Sequence, residues 1–392
     1  MTSKEEFYRI KQLPPYVFEE VNALKSSLRG QGRDIIDLGM GNPDMPTPAH
    51  IVDKLVETAR NPKAHRYSVS RGIIGLRRAM ARYYARRFNV SLEPETEIVA
   101  TLGSKEGFAN LAQAVTAPGD VVLSPNPAYP IHAYGFIIAG GVIAPVPADD
   151  PETYLAGLHD AIRISHVKPR AAVLNYPSNP TAQTVTLDFY REAVALAKRH
   201  DLIILSDLAY SEIYFGDPPP SILEVEGAKD VAVEVNSLSK TYAMAGWRIG
   251  MAVGNARLIN ALARVKSYLD YGAYTPIQVA AVAALDGPES CVEDIRATYR
   301  GRRDVLIEHF AKAGWDIPLP DASMFAWAPI PEQFREMGSV AFAKMLMEEA
   351  DVAVAPGLGF GEHGDGHVRI GFVENQQRIR QAARNLKKVF AQ

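Results

Sequence analysis

The segment Asn236–Gly250, NSLSKTYAMAGWRIG, decides how this chain of 392 residues is read. It follows an apolar run, Val231, Ala232, Val233 and Val235, that reads as a buried strand. Lys240 then stands among Ser237, Ser239, Thr241 and Tyr242, with Arg248 a short step further on. A lysine held at a strand end among short hydroxyls can lose its proton and attack a carbonyl carbon. The hydroxyls and the guanidinium fork suit a phosphate, since one arginine can hold two of its oxygens. An aldehyde and a phosphate in one ligand describe pyridoxal phosphate, carried on a Schiff-base lysine. Taken alone, SxSK reads equally as a surface lysine beside a serine-rich turn, so the rest of the chain has to decide.

Earlier in the chain, the run Leu202–Ser206 ends in Asp207. An ionised carboxylate at the tip of so apolar a strand is costly unless a cation or several donors meet it. A protonated pyridine nitrogen would be such a cation, and a helix N-cap is the ordinary alternative. Tyr210, three residues on, could donate to an anionic ring oxygen from the same turn. Earlier still, NYPSNPT (Asn175–Thr181) follows another apolar strand, and its Pro and Asn content indicates a rigid turn from which Asn179 could offer its amide. TLGSKEG (Thr101–Gly107) is a strand-to-helix switch whose first-turn amides, around Ser104 and Lys105, make a natural phosphate seat. Tyr129, in PAYP, begins the next helix and could lie flat against a cofactor ring.

From Glu97 to Val253 strands and helices alternate, the pattern of a mostly parallel sheet covered on both faces. Strands are expected at Ile98–Leu102, Val121–Ser124, Val142–Val146, Ala171–Tyr176, Leu202–Ser206, Val231–Asn236 and Ile249–Val253. In such a sheet a ligand sits beyond the carboxyl ends of the strands, where most of these candidates fall. Ile51–Ala59 and Gly72–Phe88 read as amphipathic helices, the second exposing Arg77, Arg78, Arg82, Arg86 and Arg87 as a solvated face. Beyond Asn255 come a long helical tract broken at Gly272 and Gly287–Pro288, then mixed strands and helices to Phe390. On this reading residues 1–44 form an arm and part of a small domain, 45–286 a large α/β domain, and 287–392 the rest of the small domain.

Near the C-terminus, Arg369 alternates with Val368 and Ile370 on the strand HVRIGF. Such an arginine faces either a carboxylate or solvent. His363 and His367 lie four apart in a Gly-rich loop, without the helix that would make them a metal pair, and no metal is expected. The glycines of GMGN (Gly39–Asn42) allow backbone to approach a ligand, but the pattern lacks a dinucleotide fingerprint.

Composition sets outer bounds. Apolar content of 47% and charged content of 22% are ordinary for a globular enzyme, and a net charge of -3 without a long basic run offers no footprint for nucleic acid. The single cysteine, Cys291, excludes an internal disulfide and reads as a small buried residue on a helix. MTSKEEFYRIKQLPPY has no apolar core, so neither a signal peptide nor a membrane span is expected and the protein reads as cytoplasmic.

TLGSKEG, PNPAYP, NYPSNPTA, SDLAY, SLSKTYAMAGWRIG and HVRIGF, in that order, resemble the class I/II aminotransferases of pyridoxal-phosphate fold type I over nearly the whole chain. The segments LPPYVFEEV, KSYLDYGAYTPIQVAA and PGLGFGEHGDGHVRIGF are most similar to bacterial alanine (glutamate–pyruvate) aminotransferases and, through them, to LL-diaminopimelate aminotransferases.

The resemblance implies that Lys240 carries the cofactor and moves the proton, and that Asp207 holds the pyridine nitrogen. Tyr210 and Asn179 would hold the ring hydroxyl, and Tyr129 would stack on the ring. Ser104, Lys105, Ser237, Ser239 and Arg248 would hold the phosphate. Arg369 would clamp the substrate carboxylate, with Gly41 and Tyr16 closing over it and Asn179 beside it. Tyr67 matches a tyrosine that reaches the neighbouring subunit's phosphate, which implies a homodimer with shared sites.

Animal-type aspartate aminotransferases carry an arginine in the region matching Ser267–Pro276, and this chain has none there. In some bacterial relatives a lysine matching Lys105 takes a distal carboxylate. The resulting expectation is ping-pong transamination of alanine with 2-oxoglutarate, in amino-acid biosynthesis. Aspartate or LL-diaminopimelate transamination, a C–S β-lyase and a non-catalytic ligand sensor are the competing readings; the sensor would need an added DNA-binding module before the first strand.

Overall fold

The structure, a computed structural model, describes residues 7, 10–14 and 17–391. In chain order the strands are β1 (Ile36–Asp37), β2 (Ile98–Thr101), β3 (Val121–Asn126), β4 (Val142–Pro147), β5 (Ala171–Asn175), β6 (Ile203–Asp207), β7 (Ala232–Ser237) and β8 (Gly250–Gly254). The later ones are β9 (Phe325–Pro329), β10 (Val352–Ala353), β11 (Ala355–Pro356) and β12 (His367–Gly371). The helices are α1 (Val17–Gly30), α2 (Ala49–Ala59), α3 (Ile74–Phe88), α4 (Ser104–Val115), α5 (Ile131–Ala139), α6 (Pro151–Ile164) and α7 (Leu187–His200). After them come α8 (Leu238–Thr241), α9 (Ala256–Leu269), α10 (Thr275–Leu285), α11 (Ser290–Ala311), α12 (Gly338–Ala350) and α13 (Gln376–Phe390).

Seven strands form the central sheet in the order β2-β8-β7-β6-β5-β3-β4. Only β8 runs antiparallel to its neighbours. Residues on β5 to β8 are buried throughout, as expected of strands covered on both faces. Successive side chains leave the sheet on opposite sides: Val173 and Leu205 pack with Phe108, Phe136 and Leu262, whereas Leu174 and Ile204 pack with Leu158, Tyr190 and Leu196. A doubly covered sheet therefore pushes polar chemistry to the strand ends.

A second apolar cluster joins Leu306, Phe310, Trp315, Phe342 and Leu386 to Ile36 and Leu38 of the N-terminal segment. It also takes in Ala209, Tyr210 and Ile213, just past β6. β1 pairs parallel with β10, and β11-β12-β9 make a separate antiparallel sheet in which Arg369 lies between Ala355 and Trp327. β10 and β11 are separated at Val354 and join different sheets. α6 begins at Pro151, because Asp150 accepts the Thr153 N–H at 2.7 Å and proline suits the first helical turn.

Two readings of the sequence need correction. Arg77 is buried rather than solvated: it donates to the carbonyls of Gly72 and Pro94 and to Glu95. Arg82 pairs with Asp286, Arg86 with Glu289 and Arg87 with Glu212, and Arg78 stays exposed. Cys291 is half-buried, at the start of α11, with its thiol on the Pro288 carbonyl at 3.2 Å. Among the described residues no helix is long and apolar enough to cross a membrane, and no three His, Cys, Asp or Glu side chains group as metal ligands.

Candidate active site

A cavity of about 520 Å³ opens beyond the carboxyl ends of β5, β6 and β7. The start of α4 forms its floor, and Gly39–Asn42 with Arg369 form its far wall.

Lys240 reaches this space through a tight turn. The Ser237 hydroxyl accepts the Ser239 N–H at 3.2 Å, which folds the chain into the single turn α8 and places Lys240 at its end. Its Nζ donates to the Gly41 carbonyl at 2.6 Å. Burial, followed by the positive charges of Arg369 and Arg248, pushes the ammonium from an ordinary 10.5 down to about 7. A lysine so placed is a free amine for a substantial fraction of the time at neutral pH, which makes it both a nucleophile and a base.

Asp207 ends β6 with its carboxylate buried. One oxygen accepts from the Ala209 amide at 3.0 Å; the other lies 3.0 Å from His132 Nε2. Asn175, at the tip of β5, donates to the Asp207 carbonyl and accepts the Asn179 N–H, so adjacent strand ends lock each other. Tyr210 is buried edge-on against Phe325, and burial raises its hydroxyl above the usual phenol range. It therefore stays a protonated donor at neutral pH.

At the start of α4 the chain turns through Gly103, whose φ is +88°. A Cβ there would lie 2.3 Å from Arg248 Nη2. Arg248, itself left-handed at φ 54°, donates to the Ala245 and Leu102 carbonyls and so stands beside this helix end. The Ser104 and Lys105 amides lie in a first turn, where no intrahelical acceptor exists. With buried Ser237 and Ser239 they surround one corner of the cavity with donors and positive charge. Lys105 extends its ammonium over the Tyr129 ring at 5.7 Å.

On the far wall, Arg369 Nη1 donates to Asn179 Oδ1 at 2.8 Å and Nη2 to the Gly39 carbonyl at 3.3 Å. Its guanidinium lies 4.0 Å from the centroid of Phe325 and 4.7 Å from that of Phe360. Phe18 of α1 packs edge-on against Phe360. A Cβ on Gly41 would meet Phe325 at 3.0 Å and Arg369 at 3.3 Å, so the glycine leaves room beside the guanidinium.

Of the residues singled out from sequence, thirteen line this cavity: Lys240, Asp207, Tyr210, Asn179, Tyr129, Ser104, Lys105, Ser237, Ser239, Arg248, Arg369 and Gly41 are joined by Asn175 of the NYPSNPT motif. Tyr67 does not; it is 85% exposed and packs against Tyr271 with ring centroids 4.7 Å apart. Tyr16 lies outside the described residues. His132 and the aromatic bed of Phe325 and Phe360 escaped the sequence reading. A histidine in the otherwise apolar first turn of α5, three residues after Tyr129, was the available signal for the first. The second depends on contacts between distant segments and left none.

The donor set fits pyridoxal phosphate: a depressed lysine, a buried carboxylate open to the cavity, and a glycine-lined anion cradle that a single Cβ would fill. Residues 33–386 match the family Aminotransferase class I and II, and the chain belongs to that family. It is a pyridoxal-phosphate-dependent transaminase of fold type I. It is 66% identical to AatC of Rhizobium meliloti (strain 1021), over 98% of this chain and 95% of that one. The glutamate-pyruvate aminotransferase AlaC of Escherichia coli (strain K12) is 53% identical, over 99% of this chain and 94% of that protein. An LL-diaminopimelate aminotransferase from Moorella thermoacetica is 43% identical, over 98% of both chains. Substrate-bound BacF from Bacillus subtilis superposes with a TM-score of 0.92 at 35% identity, covering 99% of this chain and 98% of BacF.

Proposed function

We propose that this transaminase exchanges the amino group between alanine and 2-oxoglutarate in two half-reactions at one site. The observation that carries the choice of pair is the end-to-end identity of 53% with glutamate-pyruvate aminotransferase. When bound, pyridoxal phosphate supplies an aldehyde that takes up the amino group and a pyridine ring that accepts electrons. The roles of the side chains follow from their chemistry. Lys240 Nζ would take the proton from the substrate α-carbon and carry it across the amino-group transfer. Asp207, oriented by His132, would hold the pyridine nitrogen. Tyr210 and the Asn179 amide would hold the ring oxygen, and Tyr129 would cover the ring.

Ser104, Lys105, Ser237, Ser239 and Arg248 would hold the phosphate. Arg369 clamps the α-carboxylate, and its placement over Phe325 and Phe360 keeps water from one side of the guanidinium. Gly41 would give the substrate room.

The same reading assigns residues 45–286 to a large domain and 1–44 with 287–392 to a small one. It makes the protein a cytoplasmic homodimer of amino-acid biosynthesis. Tyr67, Val69, Tyr268, Leu269 and Tyr271, each more than half exposed, support a second copy seated over that face, with Tyr67 reaching across to the partner.

Separate half-reactions test the substrate pair. Alanine, glutamate, aspartate and LL-diaminopimelate are each added to the yellow holoenzyme, and the loss of its absorbance and the 2-oxo acid formed are followed. Fast conversion with alanine and glutamate alone is the expected result. Fast conversion with aspartate or LL-diaminopimelate reassigns the donor, and release of ammonia with the cofactor left as aldehyde points to lyase chemistry.

A further inference from the structure

Behind the phosphate corner lies a charged cluster that none of these roles uses. Lys266, on α9, is completely buried, yet its ammonium is 3.0 Å from Glu106 Oε1 and 2.9 Å from Asp270 Oδ2. Glu106 sits in the first turn of α4, and its other oxygen accepts the Leu102 N–H at 2.8 Å. Leu102 and Glu106 thus bracket Gly103, Ser104 and Lys105, the turn that carries the free amides. Asn110, one turn further along α4, also donates to Glu106. At the other end, Asp270 accepts the Gly272 N–H at 2.6 Å, and its carbonyl accepts from the Ser70 hydroxyl. That ties the cluster to the segments bearing Tyr67 and Tyr271.

We propose that Lys266 is a positioning residue for the cofactor's phosphate, acting through Glu106. The physical problem it solves is electrostatic. The Glu106 carboxylate fixes the phosphate-binding turn by holding the Leu102 amide, but it brings a negative charge beside a site built for a phosphate. Lys266 lets the carboxylate keep its hydrogen bonds while its charge is compensated from behind. Removing the lysine leaves two partly buried carboxylates facing each other under the anion seat, a disposition that repels the phosphate and loosens the turn. The link to Asp270 makes cofactor retention depend on the loop after α9, and so on the aromatic face that this loop presents.

The inference rests on the cofactor reading of the cavity, and its test separates the two. Cofactor-free wild type, Lys266→Met, Glu106→Gln and the double variant are titrated with pyridoxal phosphate, following absorbance. Melting of each apoprotein and turnover at saturating cofactor are recorded alongside. Lys266→Met should weaken cofactor binding by about tenfold or more while turnover at saturation stays within about twofold. Glu106→Gln, which keeps an acceptor for the Leu102 amide, should bind at least as tightly as wild type. The double variant should recover to within about threefold of wild type.

Wild-type affinity in Lys266→Met would overturn the proposal, as would a double variant as weak as the single one. If Lys266→Met does not fold, a loss of affinity in Glu106→Gln overturns it equally. A wild-type protein that takes up no pyridoxal phosphate would instead bring down the reading of the cavity itself.

Discussion

The two walls of the cavity are built in different ways. On one side Asp207, Lys240 and the Ser104–Lys105 turn stand at strand ends of a single sheet, and short-range hydrogen bonds set their backbone. His132 and the Gly41 carbonyl meet the Asp207 and Lys240 side chains from further along the chain. Asp207 is held by Ala209, two residues away, and Lys240 by a turn that begins at Ser237. On the other side Arg369 is oriented by Asn179 and Gly39, which are 190 and 330 residues distant. Its aromatic bed comes from β9 and from the loop before β12. The first wall is preformed by the sheet; the second exists only when the N-terminal segment, the large sheet and the C-terminal strands meet. The proposed division of labour, cofactor on the first wall and substrate carboxylate on the second, can be broken by variants that read out the two separately.

The largest effect is expected at Lys240. Lys240→Ala should lower turnover by about 10³-fold or more, because nucleophile and proton carrier are lost together. Cofactor should still be retained after gel filtration, held by the phosphate corner and by Asp207. Retained turnover would remove the lysine from the chemistry. Arg369→Gln comes next. Truncating a buried charge against its partner costs roughly 2–5 kcal/mol, so kcat/KM for every amino acid should fall by about 10²-fold or more. The dissociation constant for pyridoxal phosphate should stay within about threefold, and an equal loss on both measurements would show that the walls are one unit.

Gly103→Ala should do the converse. The added Cβ meets Arg248 in a backbone conformation that L-residues resist, so cofactor affinity should drop by about tenfold while the KM for amino acids at saturating cofactor stays constant. A normal affinity would mean that the anion seat lies elsewhere.

The same contrast explains what could be read in the chain without coordinates. The first wall was legible because burying a strand on both faces leaves an apolar run with a polar tip, and LIILSD followed by NSLSK shows it directly. The helix starts at Ser104 and just after Tyr129 were legible too. Arg369 could be suspected from its place between Val368 and Ile370, but which face it occupied depended on a sheet assembled from β9, β11 and β12, which no local pattern specifies. Arg77 went wrong for a related reason. Helical spacing put it in an arginine row, and only the fold brings the Gly72, Pro94 and Glu95 acceptors around it. His132, on α5, was missed because its partner lies 75 residues away at the end of β6.

The smallest expected effect concerns timing within the first wall. Burial and two nearby positive charges bring Lys240 down to about 7, and each of these disfavours the ammonium. The neutral amine therefore gains as pH rises through that value, not as it falls. Uptake of pyridoxal phosphate by the apoprotein, measured as a rate in excess cofactor, should climb about tenfold for each pH unit well below 7. Between pH 7 and pH 9 it should rise only about twofold. The substrate wall feeds into this number, because Arg369 is the larger of the two charges pressing on the lysine. Arg369→Gln should accordingly move the midpoint of the uptake profile upward, toward that of an ordinary lysine. A midpoint unchanged in that variant would mean that burial and Arg248 set the amine's pH response, and that the two walls meet at the substrate without influencing each other electrostatically before it arrives.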